Sequence, residues 1–179
     1  MPRYLPPVLT RDDLPEAELC AARLDGEVFE LGECFWPVDT FEGAAERGAS
    51  LAAVLPRRLI AERLTAAWVH GAVSSLPRPL QLAVDTSARY RSPGERVELR
   101  EVVLEAGDTE VHGGLTVTSP RRTVIDLARF SAGFGDAERM IVAALAAVGG
   151  FELADVVEHL QHRRHLPGKL RAAQRLRTA

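Results

Sequence analysis

An α+β fold, with a small mixed or antiparallel sheet in the middle and a helical C-terminal part, is what this 179-residue sequence predicts. Three patterns carry the expectation. Residues 80–85, 97–104, 109–112 and 115–118 read as short strands, the first alternating apolar and polar positions with the period of a half-buried strand. From Ser119 onward apolar residues recur three and four apart, as on the buried face of a helix. Between the two regions, Thr118-Ser119-Pro120 reads as a strand running straight into a helix. Ser119 is a favoured N-cap, and Pro120 at the first helical position loses no hydrogen bond.

Each element follows from local chemistry. Residues 1–10 hold three prolines and read as an extended segment. Leu14 to Leu24 suits a helix capped by Asp12 or Asp13, and Glu27 to Pro37 alternates around Gly32 as a β-hairpin. Gly43 to Leu55 reads as a helix that Pro56 ends. Glu62 to His70 forms the next, with Leu64, Ala67 and Trp68 on one face and Gly71 as its stop. Leu80, Leu82 and Val84 alternate with Gln81, Ala83 and Asp85 as a half-buried strand. Val97 and Leu99 have the opposite parity to Val102 and Leu104, so a bulge is expected near Arg100-Glu101. Thr109–His112 and Leu115–Thr118 pair across Gly113-Gly114. The Ser119 helix buries Val124, Leu127 and Ala128. Ala137, Met140, Ile141, Ala144, Leu145 and Val148 mark one face of a further helix, closed by Gly149-Gly150. Leu153, Val156, Val157 and Leu160 mark another, and a last one starts at Pro167 with Leu170, Ala173 and Leu176 inward. Phe35, Trp36 and Trp68 are expected as core or hairpin anchors.

Composition narrows the class. Hydrophobic content of 46% and charged content of 26% fit a soluble globular protein. No apolar run has membrane-spanning length and no signal-peptide pattern opens the chain, so a cytoplasmic protein without a membrane partner is expected. Cys20 and Cys34 read as two reduced thiols. The chain has 21 Arg, one Lys and no Asn, a bias that fits a GC-rich genome. Charge is segregated. Residues 1–55 carry four Arg against eleven acids, and the last 19 residues carry six basic side chains and no acid. Oligomeric state stays open at this level.

The stretch from Gly113 to Ala128 contains G-x-x-V-T-S-P-x-R-T-x-x-D-L-A, with Ser119, Pro120 and Asp126 as its fixed points. It resembles the core motif of AbiEi-type antitoxins, the antitoxin halves of type IV toxin–antitoxin (abortive-infection) pairs. Thr65-Ala66-Ala67-Trp68-Val69-His70-Gly71 is similar to that family's S-A-A-x-x-H-G helix end, and Leu80–Asp85 and Val97–Leu104 to its next strands. The resemblance runs over roughly residues 56–160, along the family's actinobacterial branch. It implies an antitoxin core domain over 56–179, after a short acidic segment at 1–55 that stands where the family has a winged-helix DNA reader. That segment is too short for three helices and too acidic for phosphate, so it reads as a remnant. A nucleotidyltransferase-like toxin and the protein's own operon DNA are the partners implied.

Chemistry points away from catalysis. Related proteins sometimes carry a nuclease-like domain, which needs paired acids and a lysine, but the one lysine here, Lys169, stands among basic residues. Phosphate loops, G-x-S-x-G and H-E-x-x-H are absent, so no enzyme, cofactor or metal is expected. His159, His162 and His165 have metal-compatible spacing, yet beside Arg163 and Arg164 they read as a solvated face. Two basic patches are candidate contacts for nucleic acid or a partner. One is the loop Arg89-Tyr90-Arg91, the other the tail with Arg163, Arg164, Lys169, Arg171 and Arg175. Each could equally be a solvated surface. Arg121 and Arg122 are candidates at the helix start. Arg122, Asp126 and Arg129, at i, i+4 and i+7, also predict an ion-pair ladder on the helix's polar side. The alternative to an antitoxin is a nucleic-acid-binding transcriptional regulator using the basic C-terminal helices.

Overall fold

A computed structural model describes residues 8–86, 97–163 and 166–179. The loop holding Arg89, Tyr90 and Arg91, together with Arg164 and His165, lies outside the described residues. The fold is α+β, with seven helices, a two-stranded sheet and a five-stranded mixed sheet among the described residues. It divides into two compact units, one of residues 1–57 with 111–115 and one of 58–110 with 116–179.

The first unit holds α1 (Glu16–Leu24), the hairpin β1 (Val28–Leu31) and β2 (Cys34–Pro37), and α2 (Ala44–Ala52). The hairpin pairs Val28 with Pro37 through to Leu31 with Cys34, turning at Gly32 with a positive φ of 64°. Leu9, Leu19, Val28 and Phe35 form its small core. The expected Asp12 or Asp13 cap on α1 is not made. The Asp13 carboxylate instead accepts from the Thr10 amide and hydroxyl at 2.9 and 2.8 Å, closing the turn before the helix. Pro15 occupies the N-cap, and Glu16 and Glu18 in the first turn complement the positive end of the helix dipole. Both cysteines are free, and burial pushes the Cys34 thiol up to about 11, where it donates to the Ser50 carbonyl at 3.1 Å. Residues 111–115 contribute a two-residue turn with positive φ at both Gly113 (54°) and Gly114 (88°), the geometry that matches strand twist. This turn meets α2 backbone to backbone. A Cβ on Gly113 would stand 2.1 Å from the Ala45 carbonyl oxygen, and one on Gly48 would stand 2.1 Å from that of His112.

The second unit contains β3 (Ile60–Ala61), α3 (Arg63–Val69), β4 (Leu80–Asp85) and β5 (Val97–Val102). It continues through the hairpin β6 (Thr109–His112) and β7 (Leu115–Thr118), whose turn is the segment 111–115, to α4 (Pro120–Phe130), α5 (Asp136–Gly149), α6 (Leu153–His162) and α7 (Lys169–Leu176). The sheet order is β5-β4-β3-β7-β6; β3 runs antiparallel to β4 and parallel to β7, and β4 runs parallel to β5. Apolar side chains from α3 to α7 make the main core, among them Ala67, Val124, Leu127, Val142, Leu145 and Leu160. Each such leucine or valine stabilises by about 1.5–3 kcal/mol when fully buried.

Several local expectations change. The bulge at Arg100-Glu101 is absent: β5 keeps an unbroken register against β4 from Leu80–Val97 to Asp85–Val102. The parity conflict is resolved by burying apolar groups on both faces, since Ile60, Ala83 and Val102 cluster together. For the same reason Ala83 is buried in β4, which is not half-exposed. Helix α3 is buried nearly all round rather than on one face, with Leu64 its most accessible apolar residue. On α5 the inward positions are Val142, Leu145 and Ala146, while Met140 and Val148 are exposed. Helix α7 begins at Lys169 after Gly168 and buries Ala172, Ala173 and Leu176, leaving Leu170 outside. Phe35, Trp36 and Trp68 are buried. No single helix among the described residues is long and apolar enough to cross a membrane.

Gly48→Ala is expected to lower stability by about 1–3 kcal/mol, because a carbonyl cannot yield as a flexible side chain does. Gly133→Ala, where a Cβ meets nothing within 4 Å, should change it by less than about 0.5 kcal/mol. Thermal melts of the two variants check this.

Candidate functional site

The site grows from the junction of β7 and α4. Ser119 is the N-cap, its hydroxyl accepting from the Arg122 amide at 3.4 Å, and Pro120 follows at the first helical position. The strand's last carbonyl, that of Thr118, accepts from His70 Nε2 at 2.8 Å and from the Thr123 hydroxyl at 3.0 Å. A carbonyl only accepts, so Nε2 of His70 carries the proton. His70 is buried at the C-terminal end of α3, just before Gly71 with its φ of 80°. At the other end of α3 the Thr65 hydroxyl accepts from the Gln81 amide at 2.8 Å, and the Gln81 side chain caps the Leu64 amide at 2.9 Å. The Thr-Ala-Ala-x-x-His-Gly and Thr-Ser-Pro patterns are therefore two halves of one lock.

In the second turn of α4, Asp126 is buried and grips two guanidiniums: Arg122 Nε at 2.8 Å and Arg129 Nη1 at 3.0 Å. The ladder read from the sequence exists, but in the interior rather than on a solvated side. Arg122 also donates to Asp108 at 2.5 Å and to the Val103 carbonyl at 3.2 Å. Burial works against the charge of Arg122, yet Asp126 and Asp108 outweigh it and its pKa rises. For Arg129 burial prevails, aided by Arg122 and Arg100, and the pKa falls despite Asp126.

A second ionic group was not legible beforehand. Glu62 is fully buried, with Arg63 Nε at 3.0 Å and Arg100 Nη1 at 3.3 Å from its two oxygens. The Arg100 contact is within ion-pair distance but off hydrogen-bond alignment, so neither Glu62 Oε2 nor Arg100 Nη1 has a directed partner among the described residues. Arg63 adopts a positive φ of 46°, a left-handed conformation that costs an L-residue about 1–3 kcal/mol. Arg100 lies over the Phe130 ring at 3.7 Å from its centroid and Arg129 at 4.5 Å, which ties the two ionic groups together. Burial raises the Glu62 pKa above its ordinary value against the pull of Arg100 and Arg63.

Between the β5–β6 turn, the start of α4 and the end of α6 lies a cleft of about 310 Å³ lined by Asp108, Ser119, Arg121, Arg122, His159 and Arg163. Arg121 is exposed and reaches the Asp155 carbonyl at 3.4 Å. Arg163 forks onto Glu105, with Nη1 to Oε2 at 2.6 Å, an exposed pair that holds the Glu105 carboxyl below its ordinary range. His159 is pushed down by burial and then by Arg121 and Arg163. Three other tail cations each reach a backbone carbonyl. Lys169 Nζ donates to the Arg163 carbonyl at 2.5 Å, Arg171 donates to the Arg129 carbonyl, and Arg175 donates to the carbonyls of Ala128 and Ser131 at 3.0 and 2.9 Å. The last two arginines thus cap the C-terminal end of α4. The Ser119 hydroxyl accepts from the Arg122 amide, and the Asp108 and Glu105 carboxylates accept from Arg122 and Arg163.

Against known proteins, the model for the AbiEi antitoxin C-terminal domain matches residues 60–178. No curated protein matches the chain.

Asp126→Asn should destabilise the fold by about 3–5 kcal/mol, since the buried Arg129 loses its counter-charge while Arg122 keeps only Asp108. Glu16→Gln, at the exposed Arg11 pair 3.5 Å apart, should change stability by less than about 0.5 kcal/mol. Denaturant titration reads both. Because the Glu62 pKa is raised on folding, its protonated form favours the folded state. Its contribution is full below the ordinary glutamate range and is lost as pH rises through the folded value. Melting temperature should therefore decline more steeply above pH 4.5 in the wild type than in Glu62→Gln.

Proposed function

From the premise that the chain belongs to the AbiEi antitoxin family, which gives it a role in a toxin–antitoxin system, we propose that it works by contact rather than catalysis. The partner in this reading is a cytoplasmic nucleotidyltransferase-like toxin. The observation that carries it is the division of labour around α4. The signature residues Thr118, Ser119, Thr123 and Asp126 are turned inward, while Arg121 and the Arg163–Glu105 pair are left accessible on the rim of one cleft. An exposed pair contributes only about 0–1 kcal/mol and exchanges readily for a carboxylate offered from outside. A buried pair such as Arg122–Asp126 does not. The acidic first unit is read as a shortened winged-helix remnant without phosphate contact.

The double variant Arg121→Glu/Arg163→Glu is expected to weaken binding of the toxin encoded beside this gene by about tenfold or more, with the melting temperature little changed. It should also abolish rescue of growth on co-expression. Unchanged affinity and rescue would sink the cleft as the contact surface.

A second reading, a DNA-binding regulator, is favoured by six basic side chains and no acid over the last 19 residues. It requires a salt-dependent affinity for duplex DNA that drops when Arg163, Arg164 and Arg171 are neutralised. Because Arg171 donates to the Arg129 carbonyl, a melting curve must accompany that variant.

A further inference from the structure

The two ends of the charge distribution carry matching apolar features that the contact reading leaves unused. In the first unit Phe41 is 92% exposed, Leu24 83% and Val38 64%. Val38 lies beside the turn that follows Leu24, and Phe41 follows three residues on in the chain. The Val38 amide donates to the Glu27 carbonyl at 3.0 Å, which brings the exit of β2 beside the turn leaving α1. Solvated apolar residues scattered singly are ordinary, but three within eighteen positions of an acidic segment, one of them an almost fully exposed aromatic, need an explanation. Around them stand Asp25, Glu27 and Asp39, exposed and without a cation at ion-pair distance among the described residues.

In the second unit Leu166, Gly168, Lys169, Leu170 and Arg171 bound an open depression of about 540 Å³. Leu170 is 79% exposed at its edge, pointing away from the buried face of α7. The surrounding segment is purely basic. One surface is thus an aromatic knob among carboxylates, and the other an apolar hollow among cations.

We propose that copies of this chain associate head to tail, with Phe41 of one copy seated in the Leu166–Leu170 depression of the next and Asp39 facing Lys169 and Arg171. Charge complementarity selects a second copy as the occupant, since each molecule carries both an unneutralised acidic patch and the basic rim that matches it. The two patches differ, so the contact is heterologous and leaves a free knob and a free socket at the ends unless a ring closes. The inference is independent of the toxin-contact reading and concerns different residues.

Sedimentation velocity over a concentration series at low salt tests it. The wild type should form species larger than the monomer that dissociate as salt rises. Phe41→Ser and Leu170→Ser, both at exposed positions, should each weaken self-association by about tenfold or more while keeping the wild-type circular dichroism. An equimolar mixture of the two variants should give a dimer and nothing larger, because only one knob and one socket survive. A wild type that stays monomeric throughout would overturn the proposal. So would an assembly indifferent to both substitutions, or a mixture that remains monomeric.

Discussion

The carbonyl of Thr118 is where the second unit is held together. A strand that turns into a helix within one residue strands its last carbonyl, because the amides at a helix start point away from it. Here His70 and Thr123 both donate to that oxygen, the first from the end of α3 and the second from the first turn of α4. The bond from His70 fixes where α3 ends relative to β7, and the bond from Thr123 fixes the angle at which α4 leaves the strand. With those settled, Val124 and Leu127 face the helical core and Asp126 falls between its two arginines. Pro120 removes an amide that would otherwise need a partner at the same crowded point.

The interior of this unit is unusually ionic for so small a domain. Glu62, Arg63, Asp126 and Arg129 are all buried, and Arg100 and Phe130 lie between the two groups. Such groups rarely add net stability over a well-packed apolar core, because desolvation opposes the attraction. What they supply is direction. Guanidinium forks accept only certain approach angles, so the β5–β6 turn, α4 and β3 have few alternative placements. The left-handed backbone at Arg63 is consistent with this: the side chain's position is held against a backbone preference.

Much of the architecture was legible in the sequence because it rests on short-range rules. The Ser-Pro start of α4, the Gly-Gly turn and the alternation in β4 each depend on a few adjacent residues. Several errors fall where a distant element decides. The parity shift in β5 looks like a bulge until both faces of the sheet are covered, whereas the α1 cap is lost locally, to the turn in which Asp13 accepts from Thr10. The inward face of α5 is rotated from the one its periodicity suggests, because alanines and valines ring that helix and give its pattern little contrast. In the site, the spacing of Arg122, Asp126 and Arg129 was sufficient to read the ladder. Its depth was not readable, because charged residues are normally outside. Glu62 and Arg100 are 38 positions apart and offered no local signal.

The arginines of α7 carry a consequence for how this tail evolves. Arg175 bridges two carbonyls of the same helix end, and Arg171 holds a third. A lysine keeps the formal charge, but its compact ammonium is more strongly hydrated than a guanidinium and gives up more to reach these part-buried carbonyls. Conservative-looking drift at these two sites would unfasten the end of α4 without altering the isoelectric point. The near-total preference for guanidinium over ammonium, which looks like genomic habit in the composition, has at these two positions a structural use.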